Sequence, residues 1–286
     1  MIPITFALIA YLAWGSGDIF GTIAVRRLSS YSAAFWSYFL RIIVFSALIP
    51  FMIKDFAYYT PSLFFLNLFL GLILLIGFLS FNQGLKVANP SIVGTISASF
   101  VALVVIFSIL FLGDFITLVQ GAFIAVILFG VVLTSLDLSA VKIQNFRNSG
   151  IFFALMAMFF WGIYFTFIKI VIKEVGWFWP NYISFTLVIV LYLASKIRKI
   201  ELPNLILKKA FWPTLGAVLL TGTAEFCFNY ALQKGYGSIV APIAGAYPTL
   251  FVLLSFIIFR EPLTKQQKIG IAVSLVGITA LSISSQ

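Results

Sequence analysis

Residues 81–93 read Phe-Asn-Gln-Gly-Leu-Lys-Val-Ala-Asn-Pro-Ser-Ile-Val, and residues 228–240 read Phe-Asn-Tyr-Ala-Leu-Gln-Lys-Gly-Tyr-Gly-Ser-Ile-Val. Phe81-Asn82 and Ser91-Ile92-Val93 thus return as Phe228-Asn229 and Ser238-Ile239-Val240 after a displacement of 147 residues. The same displacement sets Trp14-Gly15 against Trp161-Gly162, Asp114 against Glu261, Thr117 against Thr264, Gly130 against Gly277 and Ser135 against Ser282. Leu and Ile matches between apolar segments carry little information. Matched Trp-Gly, Asn and acidic positions mark an internal duplication, with repeats at 1–139 and 148–286.

The composition says where such a duplicated chain lives. Of 286 residues, 62% are hydrophobic and 9% charged, with a mean hydropathy of +1.14. Soluble domains carry roughly 45–50% apolar and 25% charged residues, so a water-soluble fold is excluded. Apolar runs fall at about 3–25, 34–53, 62–85, 91–112, 115–135, 149–171, 180–195, 212–233, 238–259 and 266–283. At about 20 residues per membrane crossing, these predict an all-α polytopic membrane protein of ten transmembrane helices. No basic residue precedes Arg26, so the first run lacks the charged start of a cleaved signal peptide and reads as a retained span.

Five spans per repeat is an odd number, so the second repeat enters the membrane in the opposite sense. The architecture expected is two inverted five-helix repeats, a construction that secondary transporters use to expose a central site to either side. Of the basic residues outside the spans, Arg26, Arg27, Lys86, Lys142, Arg147, Lys196, Arg198, Lys199, Lys208, Lys209, Arg260, Lys265 and Lys268 fall in the odd-numbered loops. Only Lys54, Lys173 and Lys234 fall in the even ones. The positive-inside bias then places both termini on the non-cytoplasmic side of a cell (inner) membrane. The net charge of +10 belongs to these loops, so the expected surroundings are lipid and a small-molecule substrate, with no nucleic acid, in a monomer or homodimer.

The chain has no histidine and one cysteine, Cys227. Disulfides, structural zinc and His-based catalysis therefore have nothing to build on, and neither a metal, a cofactor nor a catalytic residue is expected. No Gly-x-x-x-x-Gly-Lys loop is present, so ATP is not the expected drive.

Trp14-Gly15, Trp161-Gly162, the stretch from Gly84 to Pro90, and Pro248 followed by Arg260-Glu261-Pro262-Leu263 resemble the drug/metabolite transporter superfamily, specifically its ten-span EamA-type members. One departure is Gly113-Asp114 where the second half has Arg260-Glu261. The resemblance covers nearly the whole chain. It implies a central cavity lined by the first, third, fourth and ninth helices and their symmetry mates, and a carrier of amino acids, other metabolites, sugars, nucleotide sugars or quaternary amines.

Ionisable groups deep in a bilayer cost at least about 2.5–3.5 kcal/mol on insertion scales and are functional candidates by default. Glu225 lies mid-span with Asn229 one helical turn on, and its counterpart at 147 residues' displacement is Phe78. It is a candidate for proton coupling or amine recognition, against a plain buried pairing with Lys or Arg. Asp18 shares a helix face with Trp14 and Tyr11. An aromatic and anionic wall for a cation competes there with a structural pair to Arg41. Arg41 is read mainly as a structural charge and Lys169 as a snorkelling residue. Pro242, Gly245 and Pro248 of the ninth span are expected to kink or gate it. Trp14, Trp161, Tyr164 and Tyr247 are the aromatics expected inside, with Asn82 as the counterpart of Asn229, whereas Trp177 and Trp179 read as interface anchors.

The leading expectation is a secondary carrier, not an enzyme, for an amino acid or related amine. A carrier of sugars or phosphorylated metabolites is the alternative within its class. Outside it stand a membrane-embedded enzyme or lipid-handling protein, and a non-transporting subunit.

Overall fold

The computed structural model describes residues 1–88, 90–135, 150–259 and 263–285. Asn89, Arg260, Glu261 and Pro262 of the motifs above, with Lys142 and Arg147, lie outside the described residues. The regular structure among the described residues is all helical, as lipid requires: with no water to hydrogen-bond, a spanning backbone must satisfy its own N–H and C=O groups. Among the described residues, eight helices are long and apolar enough to cross a membrane: Ile2–Arg27, Ser30–Tyr58, Pro61–Val87, Gly150–Val175, Trp179–Ile197, Phe211–Lys234, Gly237–Ile258 and Lys265–Ser284. Two shorter apolar helical segments, Ile96–Leu112 and Leu118–Thr134, occupy the fourth and fifth places and complete two sets of five.

The second span begins at Ser30 rather than near 34, because the Ser29 side chain accepts a hydrogen bond from the Ser32 backbone N–H and caps the helix earlier. Gly113, at φ +69°, makes the tight reversal between the fourth and fifth spans. Its left-handed conformation is one that glycine adopts without strain.

The halves interlock rather than sit side by side. The first span packs along the eighth, and its counterpart, the sixth, packs along the third. Lipid tails are as apolar as leucine, so helices in a membrane associate through close packing, and small residues allow it. Each Trp-Gly glycine accepts a leucine from the opposite half. A Cβ on Gly15 would stand 2.9 Å from Leu250 Cβ, and one on Gly162 would stand 2.7 Å from Leu103 Cβ. Leu103 and Leu250 are themselves 147 residues apart, so this is one contact made twice. The aromatic packing repeats similarly: Trp14 meets Phe228 at 5.2 Å and Tyr247 at 5.8 Å, while Trp161 meets Phe81 at 5.1 Å and Phe100 at 5.9 Å.

The fifth and tenth spans pair backbone to backbone: a Cβ on Gly270 would lie 2.4 Å from the Thr134 nitrogen, and one on Gly130 would lie 2.5 Å from the Ser274 nitrogen. The many phenylalanines divide between the interior and the periphery. Phe65, Phe69, Phe111 and Phe115 are exposed on the outside, where the acyl chains would lie.

Candidate functional site

The fourth and ninth spans are both broken near mid-length, and the breaks coincide under the repeat. The ninth divides into Gly237–Gly245 and Pro248–Phe259, the fourth into Pro90–Ala98 and Phe100–Leu112. Three-residue turns mark both places: Thr249 N–H donates to Ala246 O at 3.0 Å, and Ala102 N–H to Ser99 O at 3.0 Å. Proline is absent from the fourth span's break, so the kink belongs to the repeat and not to Pro242 or Pro248 alone. Gly245 adds a close crossing, since a Cβ there would stand 2.0 Å from Val101 Cγ2. Immediately after each break comes a ring, Tyr247 or Phe100, that turns into a central cavity.

That cavity measures about 70 Å³, well below the roughly 300–1,000 Å³ of small-molecule sites, so its lining is nearly closed on itself and has to part to admit a solute. Trp14, Asp18, Tyr38, Arg41, Thr221, Glu225 and Tyr247 form the polar part of its lining, and Leu74, Phe78, Phe81, Phe100, Trp161 and Phe165 the apolar part. The division follows the duplication. At a displacement of 147 residues, Asp18 corresponds to Phe165, Tyr38 to Phe185, Arg41 to Val188, Thr221 to Leu74, Glu225 to Phe78 and Tyr247 to Phe100. Each polar lining group has an apolar counterpart. The polar wall is built by the first, second, eighth and ninth spans and the apolar wall by the third, fourth and sixth.

Within the polar wall, Arg41 spans two helices. Its Nη1 donates to both Glu225 carboxylate oxygens, at 2.6 and 2.7 Å, and its Nη2 donates to Thr221 Oγ1 at 2.6 Å. The Phe185 ring centroid lies 5.0 Å from the guanidinium carbon, a cation–π contact. The Arg41 Nε is buried with no hydrogen-bond partner. Arg41 therefore pairs with Glu225 and not with Asp18. Among the described residues, no side chain or backbone donor hydrogen-bonds the Asp18 carboxylate, which faces the cavity half-buried.

A second buried ion pair lies outside this cavity, toward the membrane face that carries the N-terminus. Lys169 Nζ bonds Asp114 Oδ1 at 2.9 Å, and the Ser238 N–H donates to Asp114 Oδ2 at 3.0 Å. Lys169 does not snorkel; with its side chain only 5% exposed, it is held inward by a carboxylate from the opposite half.

The geometry separates the residues singled out above. Trp14, Asp18, Arg41, Trp161, Glu225 and Tyr247 come together around the cavity. Asn82 and Asn229 do not: their Nδ2 groups donate to Ser30 O at 3.4 Å and Trp177 O at 3.2 Å. Ser30 and Trp177 are repeat mates, so this is one structural bond made twice, tying the third and eighth spans to the starts of the second and seventh. Tyr164 also lies elsewhere, donating to Asn181 Oδ1 at 3.0 Å in full burial. Trp179 is no interface anchor, being buried with its indole N–H donating to Met52 O at 2.7 Å.

A profile of the EamA-like transporter family matches residues 1–136 and 148–283. The chain belongs to the EamA-like transporter family. An uncharacterised protein of Methanocaldococcus jannaschii is 31% identical over 144 residues, which are 48% of this chain and 99% of that relative. It therefore has about the length of one five-helix repeat. A solved crystal structure of a protein matches with a TM-score of 0.79 at 14% identity, covering 99% of this chain and 96% of its own. That likeness speaks to the fold. This EamA-like protein is thus an integral, multi-pass membrane protein of a transporter family for small substrates, built as two inverted repeats.

Sequence reasoning missed Tyr38, Thr221, Phe165, Phe78 and Phe100 as lining residues. The signal that could have found four of the polar–apolar pairs was available: a polar residue on one repeat facing an aromatic or aliphatic one on the other, as Glu225 faces Phe78.

Proposed function

We propose that this EamA-like protein is a secondary carrier that moves an amino acid or related amine across a cell membrane by alternating access of its central cavity. The observation that carries the reading is the cavity itself: it lies between two inverted halves and holds two carboxylates and a guanidinium at a depth where each is costly to keep. Such groups are retained at membrane depth where they face substrate or one another.

The halves supply the two-state element that alternating access requires. On the face that carries the N-terminus, Asp114 of one half is tied to Lys169 and Ser238 of the other. At a displacement of 147 residues Lys169 corresponds to the uncharged Thr22, so the lysine of this tie is not repeated in the first half. A variant at Lys169 would therefore perturb the N-terminal face selectively. By charge bias, the N-terminal face is the non-cytoplasmic one.

Uptake into sealed proteoliposomes tests the proposal. Labelled amino acids and amines are expected to accumulate above protein-free controls, and Glu225→Gln to reduce the rate. Running the assay with and without an imposed pH gradient separates facilitated flow from proton coupling through Glu225. Uptake confined to sugars or phosphorylated anions, and unaffected by Glu225→Gln, would overturn the substrate class.

A further inference from the structure

The cavity's two walls specify more than a small polar solute. Counted as ionised side chains, Asp18 and Glu225 contribute two negative charges and Arg41 one positive, so the cavity is anionic overall. The charges are unequally engaged. Both Glu225 oxygens accept from Arg41, and Arg41 spends its second amino group on Thr221. Its Nε is buried out of a ligand's reach. A carboxylate entering the cavity would find no free fork to bind, and burying it unpaired carries a large desolvation penalty. Asp18 is the less engaged carboxylate: it faces the cavity and accepts no hydrogen bond among the described residues, with the Arg41 guanidinium near enough to act on it only through space.

The groups around Asp18 favour the complementary ion. Trp14 lies one helical turn away on the same face, and Tyr247 and Phe165 stand against Trp14 at 5.8 and 5.7 Å. Aromatic faces near an anion attract an ammonium group. Elsewhere in the lining, Leu74, Phe78, Phe100 and Trp161 offer apolar surface, on which a ring or short chain gains by burial.

We infer that the solute is an organic monocation with an aromatic-sized apolar body, an arylalkyl amine, whose ammonium is held by Asp18 and whose body lies on the phenylalanine wall. The inference rests on the carrier reading above and narrows it from amino acid or amine to amine. Glu225, by contrast, holds Arg41 in place and is not the recognition carboxylate.

The test uses the purified full-length protein and four probes: phenethylamine, phenylalanine, 3-phenylpropionate and propylamine. The first three share a ring and differ in charge; the last keeps the ammonium without the ring. Binding is read from quenching of tryptophan fluorescence, since Trp14 and Trp161 line the cavity, and from thermal stabilisation. Phenethylamine is expected to bind at least about tenfold more tightly than phenylalanine or propylamine, which corresponds to about 1.4 kcal/mol, with no binding of 3-phenylpropionate. Asp18→Asn should weaken phenethylamine binding at least tenfold, and Asp18→Glu should restore most of it.

Equal binding of phenylalanine and phenethylamine, binding of the propionate, or an unchanged affinity in Asp18→Asn would overturn the inference. The wild-type probe series decides the matter even where Asp18→Asn fails to fold. Should none of the four bind while proteoliposomes take up another amino acid, the cation assignment falls and the carrier reading stands. Uptake of neither amino acids nor amines would remove the carrier reading itself.

Discussion

Replacing Arg41 with methionine removes the charge that compensates Glu225 while keeping an unbranched side chain of similar length. The Arg41 and Glu225 side chains are only 5% and 12% exposed, and the salt bridge is 2.6 Å long. Two unit charges about 4 Å apart interact by roughly 4 kcal/mol at an effective dielectric near 20. Removing one partner of a buried pair typically costs about 3–5 kcal/mol, because it strands the other charge. At about 2 °C per kcal/mol for a chain of this size, the apparent unfolding midpoint of Arg41→Met should fall by about 6–10 °C.

The double variant Arg41→Met/Glu225→Leu removes both charges, and replacement of a buried pair by apolar residues is often neutral. It should recover most of the lost midpoint, so the cycle has a coupling of at least ~2 kcal/mol. Thermal unfolding of detergent-solubilised protein, followed by loss of the monodisperse size-exclusion peak, provides the assay. A single variant as stable as wild type, or a double variant destabilised by the sum of its singles, would refute the pairing. The Asp18 inference would fall with it, because it depends on Arg41 being occupied.

Other substitutions probe the remaining elements. Gly270→Val should disrupt the fifth–tenth span contact, since even a Cβ there meets the Thr134 nitrogen at 2.4 Å; Gly21→Ala, with nothing within 4 Å, should leave the peak unchanged. Lys169→Met strands Asp114 and loosens the N-terminal face, so a cysteine-specific reagent should label a cysteine placed at Ser238 faster than in the Lys169 background, in both cases with Cys227 replaced by Ser. Asn82→Ala and Asn229→Ala should each lower stability by about 1 kcal/mol, the worth of one hydrogen bond, with solute affinity unchanged. A change in affinity exceeding the change in stability would return those asparagines to the solute site.

The fold was largely legible because its determinants are written locally or by repetition. Apolar runs set the spans, their odd number inverts the halves, and the 147-residue displacement predicts that contacts come in pairs, as Gly15 with Leu250 and Gly162 with Leu103 do. The site was legible only in part. Periodicity placed Asp18 on the face of Trp14, yet it fixes faces within one helix and not toward a neighbour, so Glu225 and Asn229, one turn apart, diverge into cavity and structural bond. Lys169 looked like a snorkelling residue because its partner Asp114 is 55 positions away and belongs to the other half. Trp179 looked like an anchor because it borders a loop, and only the packing of the second span over it makes it interior. The fourth span's break carries no proline and could not be read locally at all.

Counterflow in proteoliposomes tests the central claim, one cavity opening alternately to two faces, most directly. Vesicles loaded with unlabelled phenethylamine are placed in a trace of the labelled compound with no imposed gradient of protons or voltage. An alternating carrier should accumulate label transiently above equilibrium, and Arg41→Met should reduce the overshoot in proportion to its loss of folded protein or beyond. Label that rises only to equilibrium, or no faster than in protein-free vesicles, for phenethylamine and for every amino acid and amine tried, would contradict alternating access through this cavity.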